Sequence, residues 1–380
     1  MSDAQQRVQD AIDQLVASGV ETGMQVAVCQ RGELIVDAVA GVADPATGRN
    51  VTADTPFFSA STGKGMTSTV AHVLVKRGVF SYDTRIVELW PEFGAHGKQG
   101  ATVRHALTHT VGVPGVPADT TPEDLCDWQK MCAAIADAKP WWEPGSKYGY
   151  HALTYGYIIG EIVRRATDKP ISQVLREEVA GPLGVADEMY FAVPASQLGR
   201  LARLEAGEPP LSAEQIKQFE AMMPALFKAA PLAVQPSADL YNRADFLISD
   251  VPAGGTVSAR AIARMYAALL GEVDGVRLIS PERLREISAV AVDDVDQVFG
   301  NRARMALGYA IGRPATGSAE SAAPDDDATV FGWSGVGGSH ASADTATGVT
   351  FALTKNRFTS ADFSTAAQIA GIVTQALGGS

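Results

Sequence analysis

Apolar residues recur with two different periods along the chain, and each period predicts a different kind of element. Val8, Ile12, Leu15 and Val16 share one face of a helix that Gly19 or Gly23 can release. The next stretch, MQVAVCQRGELIVDAVAG, has two apolar runs either side of Gln30-Arg31-Gly32-Glu33, which predicts a β-hairpin with glycine in its turn. Past Pro56, the run Phe57 to Ser59 leads to Ser61, and Met66, Val70, Val73 and Leu74 return to helical spacing until Gly78. Ser61 is therefore predicted at a helix start.

From about 81 to 245 short helical patterns alternate with Pro and Gly, including TPEDLCDWQKMCAAIADAK, LTYGYIIGEIVRRAT and SAEQIKQFEAMMPALFKAA. A further helix starts near Ser258, a suitable N-cap. Strand-like composition then returns in ALGYAIG, TVFGWSG, GSHASAD and TGVTFALTKNRF, before a C-terminal helix in STAAQIAGIVTQALG. This order predicts an α/β chain in which 1–80 and 246–380 build a sheet domain around a mainly helical domain, 81–245. Segment 312 to 328 reads as an exposed loop whose acids face solvent.

Composition narrows the function classes. With 380 residues, 46% of them hydrophobic and 19% charged, the chain can bury a sizeable core. The net charge of −12 repels phosphate backbones and anionic lipid surfaces, so neither nucleic acid nor membrane is expected as a partner. Cys29, Cys126 and Cys132 match no disulfide framework or cysteine metal site. The opening MSDAQQRVQDAIDQLV has early acids and no continuous apolar core, so a cytoplasmic chain is expected.

Three segments carry candidate chemistry. In the first, Lys64 is the one lysine with a serine three positions before it. At a helix start, residues i and i+3 share a face, so Lys64 can approach the Ser61 hydroxyl and take its proton. The same four residues also suit an N-cap serine followed by a surface lysine. The second segment follows the Pro144-Gly145 turn with Tyr148, Tyr150, Tyr155 and Tyr157. One of these can act as a phenolate-type base where a lysine depresses its pKa; the competing reading is that all four pack in the core or an interface, with His151 a satisfied polar residue. In the third, Gly332, Gly335, Gly337 and Gly338 crowd a strand-like run, a pattern that permits close backbone approach.

Together these ordered motifs resemble the β-lactamase-like serine hydrolases, above all the family VIII carboxylesterases, which are similar to class C β-lactamases and penicillin-binding proteins. Ser61-Thr62-Gly63-Lys64 stands where the family has SxxK, and Tyr150 fits its YxN tyrosine, although the sequence reads Tyr150-His151-Ala152. Trp333-Ser334-Gly335 resembles the W-x-G form that replaces KTG among the esterases. The resemblance implies a central antiparallel sheet flanked by helices, with an inserted mainly helical domain and the active site in the cleft between them. It implies Ser61, Lys64 and Tyr150 as catalytic residues, and the backbone N–H groups of Ser61 and Val336 as the oxyanion hole. Trp333, Ser334, Gly335 and His151 then bind substrate. The expected substrate is a small ester, with cephalosporins as a further class, and no cofactor or metal is implied.

Rival readings are a β-lactam hydrolase or acyltransferase of the same fold and a non-catalytic binding protein. Loss of the KTG lysine and the YxN asparagine speaks against the lactamase, and retention of Ser61, Lys64 and Tyr150 against the binding protein. His105 and His109 stand four apart, but Ala106 occupies the glutamate position of H-E-x-x-H, so both are expected to be structural. Gly337-Gly338-Ser339-His340-Ala341 begins like a lipase elbow and ends in alanine, which makes Ser339 a poor nucleophile candidate.

Overall fold

The structure is a computed structural model that describes residues 3–312, 328–360 and 362–378. The acidic segment expected as an exposed loop lies outside the described residues from 313 to 327. One sheet dominates. Its strands are β1 (Gly23–Gln30), β2 (Glu33–Asp44), β3 (Arg49–Asn50), β4 (Val292–Val295), β5 (Arg302–Met305), β6 (Ala310–Ile311), β7 (Val330–Gly335), β8 (Ser339–Asp344) and β9 (Val349–Lys355). Their order is β3-β2-β1-β9-β8-β7-β6-β5-β4, antiparallel throughout.

Five longer helices are labelled here: α1 (Asp3–Ala17), α2 (Lys64–Lys76), α3 (Thr154–Thr167), α4 (Ala259–Leu270) and α5 (Ser364–Ala376). On one face of the sheet, α1 and α5 bury Val8, Ile12, Ile369 and Val373 against Met24, Val26, Val28, Phe351 and Leu353. The intervening Ala27, Cys29 and Ala352 point the other way and join the core that includes Ile262 and Met265 of α4. Covered on both faces, β1 is therefore buried from Gly23 to Cys29 and, Gln25 apart, reads as an apolar run rather than an alternating one. The predicted hairpin turns on Arg31 and Gly32 with φ of 51° and 89°, the two positive values of a type I′ turn. Gly19, not Gly23, follows the end of α1, since Gly23 already opens β1.

Helices prevail between 81 and 245, among them Val103–Leu107, Trp128–Asp137, α3 and Ala213–Met222. Two short strands interrupt that expectation. Met189–Tyr190 pairs with Thr256–Val257, and Glu205–Ala206 with Arg357–Phe358. A two-residue strand has no period to display; its remote partner creates it. The edge strand β4 and its neighbour β5 were also not legible, because Asp293, Asp294, Arg302 and Arg304 give them a polar sequence. Charge on an edge blocks further strand addition, and Arg302 pairs with Asp293 at 2.6 Å. ALGYAIG contributes only the two residues of β6.

The element that positions the site is α2. Every residue from Lys64 to Val75 is buried, so α2 is a core helix covered on all sides. Its Met66 and Val70 share one core with Ile158 and Ile162 of α3 and with Phe331 and Trp333 of β7. Ser258 caps α4 as predicted, its Oγ accepting from the Ala261 N–H at 3.2 Å.

Candidate active site

The chain enters the site through Phe57–Phe58, which pairs with Thr256–Val257, and then folds Ala60–Gly63 into a single 3₁₀ turn ahead of α2. Ala60 has a φ of +43°, a conformation that non-glycine residues adopt at a cost, immediately before the candidate nucleophile. Gly63 must be small, because a Cβ there would lie 2.2 Å from the Gly255 backbone nitrogen. Ser61 is not an N-cap: Gly63 precedes α2, and no side chain bonds to it there.

Lys64 is not a surface lysine either. It is 0% exposed, and its Nζ lies 3.1 Å from Ser61 Oγ, 2.8 Å from the Ala152 carbonyl and 3.0 Å from the Ala253 carbonyl. Burial drives its pKa down to about 7. A neutral amine has two hydrogens and one lone pair. As an ammonium, Lys64 donates to all three oxygens; once neutral, it can give both hydrogens to the carbonyls and leave its lone pair to the Ser61 hydroxyl.

Tyr150 completes the cluster, its hydroxyl donating to Ser61 Oγ at 2.7 Å. Here the structure reverses the expected direction of the shift. Burial raises the phenol above its ordinary value, Asp296 adds to the rise, and the hydrogen bond to Ser61 only opposes it. Lys64 sits 5.0 Å from the centre of the Tyr150 ring without producing a phenolate. Of the two groups beside Ser61, the lysine is the one poised to accept a proton near neutral pH.

The third motif arrives from the far end of the chain. A Cβ on Gly335 would fall 2.3 Å from the Ser59 carbonyl oxygen and 2.7 Å from Thr62 Oγ1, so only glycine lets the end of β7 lie against the Ser61 turn. Ser339, dismissed as a nucleophile, joins the two elements. Its Oγ donates to the Ser59 carbonyl at 2.9 Å and lies 2.9 Å from Thr62 Oγ1. Val336 follows directly after β7, and the first N–H groups of a helical turn have no acceptor within it. Two main-chain segments able to offer N–H groups to one oxygen are thus held side by side.

Residues 8–374 match the family model described as Beta-lactamase. The chain belongs to the beta-lactamase family. It is 34% identical over 361 residues to the esterase/beta-lactamase LipL of Mycobacterium tuberculosis, covering 89% of this chain and 78% of that protein. Among solved structures, a family VIII carboxylesterase superimposes with a TM-score of 0.85 at 32% identity, covering 99% of this chain and 98% of the other. A penicillin-binding protein homologue from Caulobacter crescentus gives 0.82 at 29% identity over 98% of both chains. The chain is accordingly a serine hydrolase of the beta-lactamase and esterase superfamily.

In this beta-lactamase-family hydrolase the remaining expected residues divide into walls and supports. His151, expected among the substrate-binding residues, is instead withdrawn into the wall. It is 1% exposed, its Nε2 accepts from the Val113 N–H at 3.1 Å, and its Nδ1, which must then carry the proton, donates to the Gly149 carbonyl at 2.6 Å. Burial holds its pKa at about 3, so it stays neutral and engaged at both nitrogens. Trp333 is also buried, donating from Nε1 to the Gly308 carbonyl at 2.8 Å and packing 6.0 Å from the Tyr150 ring. Ser334 points to the other face of β7, where its Oγ lies 2.8 Å from His340 Nδ1. Tyr148, Tyr155 and Tyr157 are core residues; Tyr155 bonds Ser68 at 2.7 Å and Tyr157 donates to the Leu125 carbonyl at 2.5 Å. His105 accepts the Thr102 N–H in a capping box at 3.3 Å. No group of three or more His, Cys, Asp or Glu among the described residues is placed to hold a metal ion. Sequence reading missed Asp296, whose Oδ1 accepts the Tyr150 N–H at 3.1 Å, because 146 residues separate the two.

Proposed function

We propose that the chain is a serine carboxylesterase acting on short to medium acyl esters through an acyl-enzyme on Ser61. The observation that carries this reading is the Ser61 oxygen held between a buried lysine with a pKa near 7 and a protonated tyrosine. As Ser61 Oγ bonds to the ester carbonyl carbon, its proton passes to the neutral Lys64 amine. The N–H groups of Ser61 and Val336 receive the oxyanion. When the tetrahedral adduct collapses, the ester C–O bond breaks and the leaving alkoxide takes the Tyr150 proton, which the Lys64 ammonium restores. Water then attacks the acyl carbon, giving its proton through the same pair, and Ser61 is regenerated; the net reaction is ester plus water to acid plus alcohol.

The family VIII carboxylesterase and the LipL relative support an ester as substrate. The esterase/beta-lactamase name of LipL also supports β-lactams as a minor substrate class acylating the same serine, and cephalosporins are the members of that class to try. The test incubates wild type and Ser61→Ala with a panel of acyl esters and cephalosporins, following hydrolysis and intact mass. The wild type is expected to turn over esters and to gain one acyl mass on Ser61, while Ser61→Ala does neither. Equal ester hydrolysis by the two proteins would falsify the proposal.

A further inference from the structure

Tyr150 is held from behind by a residue that the mechanism above does not use. Three consecutive N–H groups on its loop are satisfied by only two residues. Gly149 donates to the His109 carbonyl at 3.2 Å, Tyr150 to Asp296 Oδ1 at 3.1 Å, and His151 to His109 Nδ1 at 3.0 Å. His109 thus grips the backbone on both sides of Tyr150. Its imidazole also lies against the Tyr150 ring, with centroids 5.2 Å apart and 27° between planes, and is backed by Tyr155 at 4.5 Å and 14°. Trp333 meets the imidazole edge-on at 5.6 Å.

His109 itself is fully buried and has a φ of +57°, a left-handed conformation that surrounding contacts must sustain. Burial, then His151 and Lys64, keep the ring neutral. Because Nδ1 accepts, the ring proton resides on Nε2. In this tautomer the imidazole can serve as an acceptor and as a flat packing surface at once.

We infer that His109 is the positioning residue of the site, setting the Tyr150 hydroxyl on Ser61 by fixing the backbone at Gly149 and His151 and the plane of the tyrosine ring. The inference rests on the reading of Tyr150 as the proton carrier to the leaving group. A displacement of about 1 Å at such a group costs up to roughly 10²-fold in rate. The loss falls unevenly across substrates. An ethoxide leaving group needs the Tyr150 proton; a 4-nitrophenolate does not.

The experiment measures kcat/KM, which reports acylation, for ethyl and 4-nitrophenyl esters of one acid. The proteins compared are wild type, Tyr150→Phe, His109→Ala, His109→Asn and His109→Phe. Asparagine places Oδ1 where histidine has Nδ1 and tolerates a positive φ; phenylalanine keeps the ring and strands the His151 N–H. Tyr150→Phe is expected to lose far more on the ethyl ester than on the nitrophenyl ester. His109→Ala should reproduce that bias by roughly tenfold or more, with His109→Asn recovering much of it and His109→Phe less. Equal losses on both esters in folded His109→Ala, or no advantage of asparagine over phenylalanine, overturn the positioning role. If His109→Ala does not fold, the asparagine and phenylalanine variants decide between the same two outcomes. If Tyr150→Phe shows no leaving-group bias, the proton-carrier reading fails, whatever the His109 variants do.

Discussion

 Gly335 and Ser59 stand 276 positions apart along the chain, yet no side chain fits between them: a Cβ on Gly335 would lie 2.3 Å from the Ser59 carbonyl oxygen. The same Cβ would also meet Ser339 Oγ at 2.6 Å. Gly335→Ala is therefore expected to push the end of β7 off the Ser61 turn and to move the Val336 N–H away from the oxyanion. Loss of one such donor lowers kcat by about 10²–10³-fold. Steady-state kinetics on a 4-nitrophenyl ester, with circular dichroism to confirm folding, checks this; a folded variant within twofold of wild type would contradict it.

Lys64 sets the expected pH dependence. Burial lowers its pKa from 10.5 to about 7, so the ammonium form prevails below that value and has no lone pair to offer Ser61. Activity should therefore rise with pH through about 7 and level off above it. Lys64→Met should lose most of the activity along with this limb. The measurement is a pH profile of kcat/KM for an ester whose leaving group does not titrate in the range. A profile that is flat through neutrality would remove Lys64 from the role of base.

Ser339 offers a test of the link between the nucleophile turn and the sheet. In Ser339→Ala the Ser59 carbonyl and the Thr62 hydroxyl both lose a partner. The Ser59 carbonyl keeps the Thr62 N–H at 3.1 Å, so the buried Thr62 hydroxyl is the group left unpaired, at a cost of about 1–3 kcal/mol readable by urea denaturation. In the proposed mechanism the clamp holds the oxyanion donors together, so kcat is expected to fall with little change in KM. A loss of stability with unchanged kcat would mean that the turn keeps its place without the clamp.

The parts of this protein that were legible in its sequence are those in which physics acts between near neighbours. The hairpin at Arg31-Gly32, the helical face of Met66, Val70, Val73 and Leu74, and the cap at Ser258 each follow from a local period or a local hydrogen bond. The i, i+3 spacing likewise brings Lys64 to Ser61 within one turn. The edge strand β4 and its neighbour β5 were not legible, because their charged residues have no apolar period and only pairing defines them.

What the sequence alone determined was therefore a set of locally specified elements and, through three ordered motifs, the family with its candidate serine, lysine and tyrosine. Tertiary structure decided what those residues can do. Whether Lys64 is a surface ammonium or a base near pH 7, and whether Tyr150 is a phenolate or a phenol, depends on burial that no local pattern encodes. The support of Tyr150 by His109 and Asp296, the close seating of Gly335 on Ser59, and the withdrawal of His151 into the wall all join segments remote in the chain. Desolvation and hydrogen-bond geometry are properties of the packed chain, and they exist only once those segments meet.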